Sequence, residues 1–126
     1  MKQIKEIMAK KVYTVKEDDD VKSICKVLAK NKISGMPVLG KSGKLVGFIS
    51  ERDIIAAIPK PKFEQATARK LMSKKVRTIA DDAPITHASK IFSEEKYRLL
   101  PVMRNGKLVG VIGRNDVVKY MMGNFY

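Results

Sequence analysis

The chain repeats itself, and this constrains its fold more than any other feature. Residues 7–39 align on 71–103 without a gap; one deletion in the next turn then puts 43–58 on 106–121. Met8/Met72, Lys10/Lys74, Lys11/Lys75, Val12/Val76, Thr14/Thr78, Pro37/Pro101 and Val38/Val102 are identical pairs. The pentapeptide Gly-Lys-Leu-Val-Gly stands whole at 43–47 and again at 106–110. Two copies of about sixty residues define a pseudo-symmetric pair rather than a solenoid. A chain of about sixty residues buries a small share of its surface alone. The copies, 1–63 and 64–126, are therefore expected to share a core within one compact domain.

Each copy shows the same order of signals. A short amphipathic segment comes first, with Ile4, Ile7 and Met8 as its apolar side, and 66–72 matches it. Val12 to Val15 reads as a short strand. Asp18-Asp19-Asp20 reads as a helix start and not a metal site, since acids suit the cap and the first turn. Pro84 supports this in the second copy, where it fits the first helical position. Val21, Ile24, Cys25 and Leu28 form a helical core stripe, reproduced by Ile85, Ala88, Ser89 and Phe92. Residues 34–39 and 98–103 are apolar runs with an internal proline, which belongs at the edge of a sheet or the start of a strand, so the chain before each strand is expected along an edge. Lys41-Ser42-Gly43 and Asn105-Gly106 are tight turns. The strands 45–49 and 108–112 feed helices at 51–58 and 114–121. Pro59 and Pro61 make the connector stiff and extended. The architecture is mixed α/β.

One stretch carries chemistry. Gly47-Phe48-Ile49-Ser50-Glu51-Arg52-Asp53 runs a strand into a helix, and Gly110-Val111-Ile112-Gly113-Arg114-Asn115-Asp116 repeats it. Ser50 and Asp53 have the spacing of a capping box, hydroxyl to backbone amide and carboxylate back to the cap. They also suit recognition, since a helix start attracts phosphate and a carboxylate can accept both hydroxyls of a ribose. The residues alone leave both readings open.

Charge favours an anionic partner. Lys and Arg number 26 against 13 acids, a net charge of +13. The single Cys25 excludes an internal disulfide and fits a reducing compartment, and no long apolar run or leader pattern is visible. A cytoplasmic location away from membranes is expected. His87, the one histidine, lies off the helical stripe and is neither a convincing ligand nor a base. No nucleophile triad, two-histidine metal motif or phosphate-binding glycine loop is present, so neither catalysis nor a bound metal or cofactor is expected.

With this element order and both Gly-x-x-x-x-x-Asp stretches, the chain resembles a tandem pair of CBS domains, a Bateman module, over about residues 4–122. The resemblance implies two repeats packed through their sheets, clefts for AMP, ADP, ATP or S-adenosylmethionine, and association into flat homodimers. It implies that Asp53 holds the ribose hydroxyls and Ser50 a ribose or phosphate oxygen. Ile33, Met36, Pro37 and Val38 would line the adenine slot, with Thr14 and Val15 meeting the base edge. Arg98 matches a phosphate-contacting arginine of some members, and Ser34 is its counterpart. The second copy departs from the pattern, since Gly113 replaces the hydroxyl residue. One competent site using Asp53, Ser50 and Arg98 is expected, and a weaker one using Asp116, Arg114, Pro101 and Ser34.

The implied function is a non-catalytic regulatory module whose ligand alters its shape for a protein target. The positive charge favours AMP, ADP and ATP over the cationic S-adenosylmethionine. The rivals are a nucleic-acid-binding protein using Lys10, Lys11, Lys60, Lys62, Arg69, Lys70, Lys74, Lys75 and Arg77, and a structural or regulatory subunit with empty clefts.

Overall fold

The computed structural model describes residues 2–125. Its elements are a 3-10 turn at Ile4–Glu6, β1 (Val15–Lys16), α1 (Val21–Asn31), β2 (Gly35–Leu39), β3 (Leu45–Ser50) and α2 (Glu51–Ala57). A second 3-10 turn at Phe63–Gln65 is followed by α3 (Ala68–Leu71), β4 (Ile79–Ala80), α4 (Ile85–Glu94), β5 (Leu99–Arg104), β6 (Lys107–Gly113) and α5 (Arg114–Phe125). Two three-stranded sheets result, ordered β1-β2-β3 and β4-β5-β6, each with a parallel first pair and an antiparallel second pair.

The chain divides into two compact units: Tyr13–Val76, contiguous, and Met1–Val12 with Arg77–Tyr126, split. The buried residues form two clusters, one in each unit. Val15, Ile24, Leu28, Met36, Val38, Ile49 and Ile54 pack with Ala68 in the contiguous unit. Ile79, Ile85, Ile91, Leu100, Val102 and Ile112 pack with Ile4 in the split unit. What the copies exchange is therefore their leading segments. Ile4 begins the first copy but is fully buried among residues of the second, and Ala68 does the reverse.

The exchange closes the outer edge of each sheet. Ser73 and Phe48 exchange backbone hydrogen bonds of 3.0 and 2.9 Å beside β3; Ala9 and Val111 exchange bonds of 2.8 and 3.0 Å beside β6. Both glycines of the repeated stretch lie under these crossings. A Cβ on Gly47 would strike Sδ of Met72, and one on Gly110 would stand 2.6 Å from Sδ of Met8 and 2.8 Å from the Ala9 carbonyl oxygen.

The prolines do not lie at an edge. Pro37 and Pro101 are buried in β2 and β5, the central strands. Phe48, opposite Pro37, spends its N–H and carbonyl on Ser73, so its backbone faces away from β2. On the other side β1 pairs only from Val15, opposite Val38. The proline nitrogen thus faces a stretch where no ladder has formed, and its missing N–H costs nothing.

Smaller differences have local causes. β1 starts at Val15, later than the apolar run suggests. Pro84 is the cap of α4 and not its first helical residue, with an extended ψ of 152°. In α4, Ser89 is exposed and Ile91 buried, so the core stripe is shifted from the Cys25 side of α1 to the Val27 side.

Two caps support testable expectations. Lys32 ends α1 in the left-handed region at φ 52°, with Ile33 N–H reaching the Leu28 carbonyl at 3.1 Å. Glycine adopts that conformation without steric cost. Lys32→Gly is expected to stabilise the protein by about 0.5–1 kcal/mol, read as a higher thermal midpoint. At the other end Asp20 accepts the Ser23 N–H at 2.8 Å, which holds its carboxyl below the usual range, with smaller help from Lys22. A depressed carboxyl stabilises the fold above its unfolded value of about 4 and loses that contribution as pH falls through the folded value. Asp20→Asn keeps an acceptor without the charge. Its thermal midpoint should therefore fall less than that of wild type between neutral and strongly acidic pH.

Candidate nucleotide site

The junction of β3 and α2 is built around one carboxylate. Ser50 is both the last residue of β3 and the cap of α2. Its hydroxyl accepts the Asp53 N–H at 3.2 Å. Asp53 Oδ2 accepts the Ser50 N–H at 2.9 Å and the Ser50 Oγ–H at 3.0 Å. The capping box is thus complete. It loads one carboxylate oxygen twice, while among the described residues no donor reaches Oδ1 of this half-buried group. Capping and recognition are compatible, because the cap leaves half of the acceptor capacity free.

Ser34 joins this junction through its backbone, its carbonyl accepting the Glu51 N–H at 2.9 Å. Met36 and Val38 are in the core, 1% and 0% exposed, together with Val15, and Ile33 packs partly buried against the same cluster. Strand alternation puts Gly35 and Pro37 on the opposite face of β2 from Met36 and Val38. Phe48 lies there as well: it pairs with Pro37, and a Cβ on Gly35 would stand 2.6 Å from its Cε1. Phe48 was not singled out from sequence. Its signal was Gly35, whose counterpart in the other copy is the larger Leu99. Thr14 lies just before β1 and is half-buried.

The split unit carries the other set. Asp116 Oδ2 accepts the Gly113 N–H at 2.7 Å, and no hydroxyl completes the box. A Cβ on Gly113 would stand 3.3 Å from the Leu99 side chain and 3.7 Å from Asp116 Oδ2, so a serine there would need Leu99 to give by a few tenths of an ångström. Arg114 is occupied structurally, its guanidinium donating to the carbonyls of Tyr97 at 3.0 Å and Phe92 at 3.4 Å. Arg98 is exposed, its carbonyl accepts the Arg114 N–H at 3.2 Å, and its guanidinium has no partner among the described residues. Pro101 is buried opposite Val111.

Two of the basic residues considered for nucleic acid are engaged. Arg69 pairs with Glu17 and Asp18 at 3.3 and 2.8 Å, and Arg77 pairs with both oxygens of Glu95 at 3.2 Å. Among the described residues no helix is long and apolar enough to cross a membrane. No group of three or more His, Cys, Asp or Glu side chains is arranged to hold a metal ion among them either.

A repeated β-α-β-β-α unit with a carboxylate at each final helix start defines a class of paired regulatory domains. The CBS-domain family model matches the chain twice, at 4–60 and 68–123, and the chain belongs to that family as a tandem pair. An uncharacterised protein of Methanocaldococcus jannaschii is 33% identical over 94% of this chain and 90% of its own length. The CBS domain pair of another protein, in complex with 5′-methylthioadenosine and S-adenosyl-L-methionine, superposes with a TM-score of 0.86 at 26% identity, covering 98% of each chain. CBSX2 in complex with AMP superposes with a TM-score of 0.89 at 25% identity over 100% of each chain; it is a CBS-pair protein of Arabidopsis thaliana.

Proposed function

We propose that this chain is a non-catalytic regulatory module that binds an adenosine nucleotide through Asp53. The observation that carries this reading is the complete Ser50–Asp53 set with one carboxylate oxygen unengaged. The ligands of the similar structures, AMP in one and S-adenosyl-L-methionine with methylthioadenosine in another, share an adenosine, and a ribose diol is what Asp53 can accept. AMP, ADP and ATP rank above S-adenosylmethionine, because a net charge of +13 favours phosphates over a sulfonium cation. Micromolar affinity requires about 8 kcal/mol. Hydrogen bonds to a charged group supply about 1.5–3 kcal/mol each, so an Asp53–ribose pair with an arginine–phosphate contact reaches much of that figure.

The module works as a cytoplasmic homodimer whose protein target reads the liganded shape. Supporting the dimer, Ile55 and Ile58 beside α2 are 65% and 56% exposed, and Val118 and Met122 on α5 are 59% and 58% exposed. Self-association would cover such apolar side chains.

Calorimetric titration of AMP, ADP, ATP and S-adenosylmethionine tests the reading. One adenine nucleotide per chain is expected, unchanged in Asp116→Ala. Equal losses from Asp53→Ala and Asp116→Ala would overturn the single competent site. Heat from none of the four ligands would overturn the nucleotide reading itself.

A further inference from the structure

The exposed face of α1 is a row of lysines. Lys22, Lys26 and Lys30 are spaced four apart and all exposed, and α1 contains no acid. Four residues of helix rise about 6 Å and turn about 40° past one revolution, so the three stems form an oblique row over about 12 Å of helix length. Ser23 and Ala29, the other exposed residues of this helix, are small and leave the lysines standing clear. None of the three is ion-paired among the described residues, where the four ion pairs involve arginines alone.

Repulsion within the row costs the helix some stability. Like charges at i, i+4 repel; Lys22 lies in the first turn, where the dipole favours anions, although Asp20 is close to it, and Lys30 lies in the last turn, where the dipole favours cations. The equivalent positions of α4 are Thr86, Lys90 and Glu94, which break the row and place an acid four residues after the lysine. The full row is thus peculiar to α1, where only Lys26 has a lysine counterpart in the other copy. A row of like charges with no ion pair among the described residues leaves its positive face open to a partner that supplies the anions.

We propose that the α1 face binds a single strand of nucleic acid through consecutive phosphates. The lysines rise about 6 Å apart along the helix in an oblique row, which suits successive phosphates of a flexible single strand better than a rigid duplex, and lysine contacts them as point charges. With no aromatic side chain on this face to stack bases, recognition is independent of sequence and rests on counterion release. This surface is separate from Asp53 and does not depend on the nucleotide reading.

Fluorescence anisotropy of a labelled oligouridylate across a salt series tests it. Neutralising three phosphate contacts on a single strand contributes a slope of about −2 in log K against log salt. Lys22→Gln/Lys26→Gln/Lys30→Gln should flatten the wild-type slope by about 2 and bind at least about tenfold more weakly at low salt. It should melt close to wild type, since relieved repulsion offsets the loss of Lys30 at the helix end and of Lys22 beside Asp20. A charge-matched control, Lys41→Gln/Lys44→Gln/Lys60→Gln, should lose much less. Equal losses in the two triple variants would reduce the effect to net charge and overturn the proposal, as would an unbound wild type. Tighter binding of inorganic polyphosphate or duplex DNA than of the strand would overturn the assignment of the partner. Asp53→Ala should bind the oligomer as wild type does, and the α1 variant should keep its nucleotide heat. The two readings therefore stand or fall separately.

Discussion

Asp53→Ala is expected to abolish measurable binding of an adenosine nucleotide while leaving the protein folded. The carboxylate offers an unengaged Oδ1, and its Oδ2 already accepts two bonds from Ser50. Hydrogen bonds to a charged acceptor contribute about 1.5–3 kcal/mol each, so losing two ribose contacts lowers affinity by at least two orders of magnitude. The same substitution removes half of the capping box and should cost about 1 kcal/mol of stability. Asp53→Asn separates the effects. Its amide oxygen can still accept the Ser50 N–H, but it has neither the charge nor the second acceptor. It should melt near wild type and still fail to bind nucleotide. Calorimetry paired with thermal melts reads both quantities, and wild-type affinity in Asp53→Asn would remove Asp53 from the site.

The second large effect is expected at Gly110. An added methyl would stand 2.8 Å from the Ala9 carbonyl oxygen, and that backbone is tied on both sides by its exchange with Val111. Neither group can yield without breaking the bridge that closes the sheet edge. Overpacking of this kind costs about 1–3 kcal/mol, and Gly110→Ala should lie toward the upper end. Gly47→Ala should cost less, because a flexible methionine stands nearest at both sites but the backbone oxygen behind it is farther at Gly47, Ser73 at 3.0 Å against Ala9 at 2.8 Å. Adding Met72→Ala should rescue much of the Gly47→Ala loss, while Met8→Ala should rescue little of the Gly110→Ala loss. A Gly110→Ala protein that melts with wild type would show that the crossing segment moves freely.

The parts of this molecule that local chemistry decides were legible in its residues. Asp20 caps α1 through Ser23, Asn105-Gly106 turns with φ values of 50° and 76°, and Ser50 and Asp53 form the box that their spacing announces. What could not be read depends on partners distant in sequence. Pro37 suggests an edge until one knows that β1 begins only at Val15 and that Phe48 is engaged by Ser73. Met8 and Gly110 are each doubled in the sequence, yet nothing local reveals that the methionine of one copy lies on the glycine of the other. The site shows the same division. The roles of Ser50 and Asp53 are local, whereas the burial of Met36 and Val38 follows from which face of β2 meets α1.

The exchanged leading segments have a consequence for any cut or fusion in this chain. A boundary drawn at residue 63 follows the repeat, but the piece 64–126 would lack Ile4 and Met8, which cover Ile79, Leu100 and Ile112. Trimming the first dozen residues would therefore injure the far end of the polypeptide, whereas 13–76 retains every member of its own cluster. The split half also closes around an intervening loop of some sixty residues. Prior folding of that loop is expected to reduce the chain entropy lost when its ends meet. The amino-terminal segment belongs to the split unit, so an affinity tag placed before Lys2 would test the second copy more than the first.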